Sequence, residues 1–166
     1  MGVSGSGKTT VGSLLARRLR WPFQEGDDFH PQANIDKMKA GTPLTDADRV
    51  PWLELIANWV DTRLDAGQSA IVTCSALKRT YRNVIDRRRP GVVFIFLDGP
   101  QKTIALRLAF RQSHFMPPQL LQSQFHDLEP PAPDEPALRF DIDAPPQEIV
   151  DQVIGMLGLS EPRRLE

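Results

Sequence analysis

Apolar residues along this chain fall into two alternating patterns. Val11, Leu14, Leu15 and Leu19 recur at helical spacing directly after a glycine-rich turn, so a turn feeds a helix there. Phe23-Gln24-Glu25 is a short extended candidate ending at Gly26-Asp27-Asp28, and Pro31 opens a helix to about residue 40, with Gly41 as its stop. From Pro51, the stripe Leu53, Ile56, Val60 and Leu64 predicts a helix running to Gly67. Residues 70–74 and 92–97 are short continuous apolar runs, as expected of parallel strands covered on both faces. Helices are predicted after each, over about 79–88 and 101–111, and a weaker strand over 140–143 precedes a terminal helix over 146–157. Strand and helix alternate throughout, which argues for an α/β fold with a parallel sheet and right-handed crossovers.

Composition narrows the class of function. The chain has 166 residues, enough for one domain with its own core, taken here as 1–164; Leu165-Glu166 could be a cloning scar. Lysine plus arginine (20) almost balances aspartate plus glutamate (21), so no net field favours nucleic acid or an anionic membrane, and a small-molecule substrate is expected. No apolar run is long enough to span a bilayer, and a lone Cys74 in an apolar segment suits a reduced, cytoplasmic compartment.

The strongest chemical signal is Gly2-Val3-Ser4-Gly5-Ser6-Gly7-Lys8-Thr9, a full G-x-x-x-x-G-K-[ST] phosphate loop opening a helix, with Thr10 as its neighbour. Glycines there let successive N–H groups converge on phosphate oxygens, and the helix adds its positive end. Lys8 is expected to reach the β and γ phosphates of ATP and Thr9 to ligate Mg²⁺. Such loops normally follow a buried strand, but Met1 stands immediately before Gly2. The first strand is therefore absent from this chain, and we expect it to lie upstream of Met1.

A phosphate loop says nothing of the acceptor, so the other polar clusters must. Gly26-Asp27-Asp28-Phe29-His30-Pro31 lies at a strand's carboxyl end, where open α/β sheets bind ligands. Asp27 or Asp28 could take a hydroxyl proton, or the pair could be only a turn or helix cap; His30 could donate to substrate or merely shape the turn. In the segment from Lys37 to Trp52, Arg49 could grip a carboxylate in a bidentate pair, whereas Asp46 and Asp48 read better as caps. Ser75 and Lys78 sit at another strand end, and Lys78 and Arg82, four apart, could share one basic face for an anion or simply face solvent. Arg107 and Arg111 repeat that spacing before a lid of about 112–126 containing His114; they could close over the triphosphate or be surface charges. The run Arg87-Arg88-Arg89 reads as solvated surface.

In its longer motifs the chain resembles the thermoresistant-type gluconokinase family. These are the phosphate loop, GDDFHP at 26–31, NIDKM at 34–38, GTPLTDADRVPWL at 41–53, CSALKRTYR at 74–82 and RQSHFMPPQLLQSQFHDLE at 111–129. The resemblance implies a three-layer α/β/α fold like the nucleoside-monophosphate kinases, related to shikimate kinase, with a helical lid. It implies ATP:gluconate 6-phosphotransferase activity and a homodimer. It supports Gly5, Gly7, Lys8 and Thr9 as nucleotide residues, Asp27 as base, and Arg49, Lys78 and His114 near substrate. Rival readings are a kinase of this fold acting on shikimate, a nucleoside monophosphate or another sugar acid, and a nucleotide-binding module without catalysis.

Overall fold

The computed structural model describes residues 1–110 and 118–162. Helix α1 (Lys8–Leu19) leaves the phosphate loop and ends at Arg20 in a left-handed turn. Strand β1 (Phe23–Glu25) runs into a 3-10 turn (Gly26–Phe29), followed by α2 (Gln32–Lys39), α3 (Asp46–Asp65), β2 (Ile71–Thr73) and α4 (Arg79–Asp86). Then come β3 (Phe94–Asp98), α5 (Gln101–Ala109), α6 (Pro118–Asp127), β4 (Ala137–Asp141) and α7 (Pro146–Met156).

Three of these elements differ from expectation for physical reasons. Helix α3 begins five residues before Pro51, because Thr45 and Asp48 form a capping box that nucleates it earlier. Exposed Pro51 then sits inside the helix, which loses one backbone hydrogen bond and continues. β4 starts at Ala137 rather than 140; it buries only Phe140 well, so its apolar pattern is weak. Helix α6 was expected only as part of a lid, whose earlier portion lies outside the described residues, as do Arg111, His114 and the terminal Leu165-Glu166.

β1 pairs with β2 and β3 with β4, both parallel, as two separate two-stranded sheets. Between them stands one residue. The Leu97 N–H donates to the Met1 carbonyl at 3.0 Å, the Met1 amine donates to the Ile95 carbonyl, and the Gly2 N–H donates to the Ser75 carbonyl at 3.1 Å. The first two bonds form a single parallel rung between Met1 and Phe96.

Helices cover both faces of this split sheet. One core packs Val11, Leu15 and Leu19 of α1 against Ile149, Val150 and Val153 of α7, with Leu97 and Phe140 from the strands. The other packs Trp52, Leu53 and Ile56 of α3 against Tyr81 and Ile85 of α4 and Phe94 of β3. The result is the expected three-layer arrangement. Cys74 is buried in the second core, where burial pushes its thiol up to about 12, so it packs as a neutral apolar group. Arg87 and Arg89 are not simply solvated: they bridge to Glu54, Asp61 and Asp65 on α3. No helix among the described residues is long and apolar enough to cross a membrane.

Candidate active site

The phosphate loop closes because its glycines adopt backbone angles that other residues resist. Gly2 lies at φ 135°, and a Cβ there would stand 2.6 Å from the Leu97 carbonyl oxygen. Gly5, at φ 83°, presses so closely on α5 that a Cβ would meet Leu108 at 2.8 Å. Gly7 precedes α1, and no side chain caps the helix start, so its first N–H groups face outward at the positive end of the helix. Ser6 is buried with its Oγ lacking a hydrogen-bond partner among the described residues, a polar group that fits a loop built to hold an anion. Lys8 folds back, its Nζ donating to the Val3 carbonyl at 3.0 Å, while Thr9 and Thr10 are exposed.

Gln124 of α6 reaches into this loop. Its Oε1 accepts from the Ser4 N–H at 2.7 Å and its Nε2 donates to Ser4 Oγ at 3.2 Å. A cavity of about 360 Å³ opens between residues 5–7 and the segment 142–146, with Arg107 on its wall. Arg107 donates to the Ile142 carbonyl at 2.8 Å and so ties α5 to that segment. The segment follows β4, the last strand, at its carboxyl end, where the rule for open α/β sheets places ligands; that position was its one signal in the sequence.

On the acceptor side, the 3-10 turn presents Asp27 with a side chain 82% exposed and 4.0 Å from His30 Nε2. His30 itself is only 5% exposed and stacks on Trp52 at 4.1 Å between ring centres. Burial lowers its pKa, with Arg49 adding to the effect and Asp27 opposing it, so the ring is neutral at neutral pH. Trp52 in turn donates to the Gly26 carbonyl at 2.6 Å, holding the turn against α3. Asp28 is occupied otherwise, accepting from Gln24 at 3.0 Å.

Arg49 and Lys78 are brought together. Arg49 Nη1 lies 3.1 Å and Lys78 Nζ 3.7 Å from the two oxygens of Asp127, a residue of α6 inside the 111–129 motif but not among the candidate site residues. Asp46 accepts from Lys78 at 2.9 Å and from the Tyr81 hydroxyl, whose oxygen accepts from Arg49 at 2.8 Å. The Tyr81 bond, then Lys78, holds the Asp46 carboxyl below its usual range, and the same bond to Asp46 raises Lys78. Lys37 pairs with Asp48 at 2.7 Å, which with the Thr45 cap lowers Asp48 to about 2. Ser75 contributes its carbonyl to Gly2.

Arg82 departs from expectation. Its side chain is 1% exposed and is clamped by Glu135 at 2.5 and 2.9 Å and by the carbonyls of Ala76, Leu77 and Glu129. It shares no open basic face with Lys78, because Lys78 is the residue before α4 and Arg82 turns inward toward Glu135 in the loop between α6 and β4.

Comparison with known proteins places this geometry. The family model for shikimate kinase matches residues 4–130. A gluconokinase of Gluconobacter oxydans (strain 621H) is 48% identical over 154 residues, covering 93% of this chain and 86% of that protein. The chain belongs to the gluconokinase family. The crystal structure of a gluconokinase from Sinorhizobium meliloti 1021 is 44% identical and superposes with a TM-score of 0.85, covering 95% of this chain and 89% of that one. A shikimate kinase structure from Aquifex aeolicus, at 20% identity and a TM-score of 0.67 over 95% of this chain and 94% of that one, shares the fold. Members of this family are P-loop kinases, and the phosphate-loop motif of this chain lies at residues 2–9.

Replacing Arg82 with Ala should leave Glu135 as an uncompensated buried charge and lose about 3–5 kcal/mol of stability in urea unfolding. Replacing the pair together, Arg82→Met with Glu135→Leu, should recover most of it. If the single variant instead unfolds like wild type and binds substrate poorly, Arg82 belongs to the site after all.

Proposed function

We propose that this chain transfers the γ-phosphoryl group of ATP to the 6-hydroxyl of D-gluconate, giving 6-phosphogluconate. The observation that carries the acceptor is Asp127 held between Arg49 and Lys78: two cations, one on α3 and one just before α4, already address a single carboxylate. An acidic sugar presents the same group. Asp46, 64% exposed, is the partner able to swing aside and leave Lys78 to the substrate. The 48% identity to a named gluconokinase supports gluconate over other sugar acids.

The remaining residues take roles that their positions allow. The outward amides at the start of α1 and Lys8 hold the phosphates, and Thr9 offers a hydroxyl to Mg²⁺. Bound Mg²⁺ neutralises charge shared by the β and γ oxygens. Asp27, open to solvent at the carboxyl end of β1, accepts the proton of the attacking hydroxyl. Buried neutral His30 fixes the turn carrying Asp27 through its stack on Trp52. Arg107 shapes the nucleotide cavity beside residues 142–146 rather than acting as a loose surface charge. Arg111 and His114 complete the reading as lid residues, and a cytoplasmic homodimer is the form in which it is expected to work. Positioning supplies most of the rate, since phosphoryl transfer asks for alignment and charge neutralisation more than covalent chemistry.

A coupled assay of ADP release across gluconate, shikimate and nucleoside monophosphates is expected to respond to gluconate. Response to shikimate alone would overturn the acceptor, and tight binding of a non-hydrolysable ATP analogue without turnover would favour a binding module. Lys8→Ala should lower kcat by about 10²–10³-fold while leaving the unfolding midpoint nearly unchanged. Arg49→Lys, which keeps the charge and loses the fork, should raise KM for gluconate roughly 10-fold or more with KM for ATP unaltered.

A further inference from the structure

Helix α2 has one buried residue, and it is polar: Asn34. A buried amide costs stability unless its hydrogens find acceptors. Asn34 Nδ2 donates to the Asp48 carbonyl at 2.8 Å. That acceptor settles which way the amide faces, because the side-chain oxygen in the same place would meet the carbonyl with like partial charge. The same Nδ2 lies 3.5 Å from His30 Nδ1. An amide nitrogen only donates, so this contact requires His30 Nδ1 to accept. The ring is neutral and carries one proton, which then belongs to Nε2. His30 is not free to turn away, because it is buried in a stack on Trp52 with the two ring planes 16° apart. Nε2 is the nitrogen that faces Asp27, 4.0 Å from its Oδ1.

We infer that Asn34 is a positioning residue for phosphoryl transfer: it holds His30 as the Nε2–H tautomer, and that N–H orients the Asp27 carboxylate. The inference rests on the reading of Asp27 as the base. Asp27 is exposed and rotates freely until something fixes it, and its rotation closes the gap to Nε2 when the acceptor arrives. With one oxygen held by the Nε2–H, the carboxylate presents the other to the attacking hydroxyl. The hydroxyl proton passes to Asp27, while His30 keeps its own proton throughout. The opposite tautomer would turn a lone pair toward the carboxylate and push it out of line. Two charged groups bear on the ring, Asp27 from the turn and Arg49 from α3, and burial with Arg49 keeps it neutral. The bond to Asp48 gives the same amide a second task. Asp48 stands in the first turn of α3, next to Arg49, so Asn34 ties the turn that carries the base to the helix that carries the acceptor's cation.

Long-range ¹H–¹⁵N correlation spectra of the histidine rings read the tautomer directly, with the His30 signals assigned by their loss in His30→Gln. Wild-type protein at pH 8 should show a protonated Nε2 and a bare Nδ1. Asn34→Leu removes the donor, and Asn34→Asp replaces it at that pH with an acceptor; both should move the proton toward Nδ1. Both should also lower kcat about 10-fold or more, with KM for gluconate and for ATP changed by less than about 3-fold. A wild-type ring protonated on Nδ1 would overturn the inference. So would a variant that moves the proton and keeps its kcat, or one that loses kcat with the proton still on Nε2. Should Asn34→Leu fail to fold, the wild-type spectrum and Asn34→Asp decide by themselves. Asp27→Asn tests the underlying reading separately: turnover like wild type there would remove the base, and with it the role of Asn34, whichever nitrogen of His30 holds the proton.

Discussion

The bonds that Met1 and Gly2 make to Ile95, Leu97 and Ser75 hold the molecule's two halves in register. On one side of them stand β1 and β2, with the turn that carries Asp27; on the other stand β3 and β4, with the segment 142–146 that lines the cavity beside the phosphate loop. Phosphoryl transfer needs these two sides at a fixed separation, since donor and acceptor must approach in line. The phosphate loop hangs from the same two residues. Its shape is fixed locally by glycine backbone angles, but its placement over the sheet is fixed by so few hydrogen bonds that the junction is where order in the site begins.

The acceptor side is held differently. Arg49, Lys78, Tyr81, Asp46 and Asp127 form a network in which two positive and two negative groups neutralise one another across three helices. Such a network tolerates partial burial because each charge is matched. It also keeps the cations oriented before any substrate arrives, which limits the side-chain ordering that binding must supply. Arg49, only 10% exposed, depends on this arrangement; Lys78 retains more freedom.

Legibility in the sequence follows the range of the interactions concerned. The phosphate loop and α1 could be read directly, because glycine conformation and helical spacing are local. The start of α3 was hidden by Pro51, whose disruptive tendency is outweighed by the Thr45–Asp48 capping box just upstream. Lys78 and Arg82 show the limit of spacing arguments: four residues apart says that two side chains can share a face, not which face the protein buries. Glu135, in the loop between α6 and β4, decides that question by drawing Arg82 inward. Asp127 and the segment 142–146 enter the site through contacts with residues far away in sequence, Arg49 and Arg107, and pattern reading along the chain has no access to such pairs.

Gln124 gives the nucleotide site a competitor of its own. Its amide occupies the Ser4 N–H and hydroxyl, groups that a bound phosphate chain would need to address. A ligand entering the loop exchanges one hydrogen bond for another instead of filling an empty donor, so part of its binding energy goes into displacing a side chain. A loop arranged like this is held in shape by Gln124 when empty and gives up part of the affinity that open donors would offer.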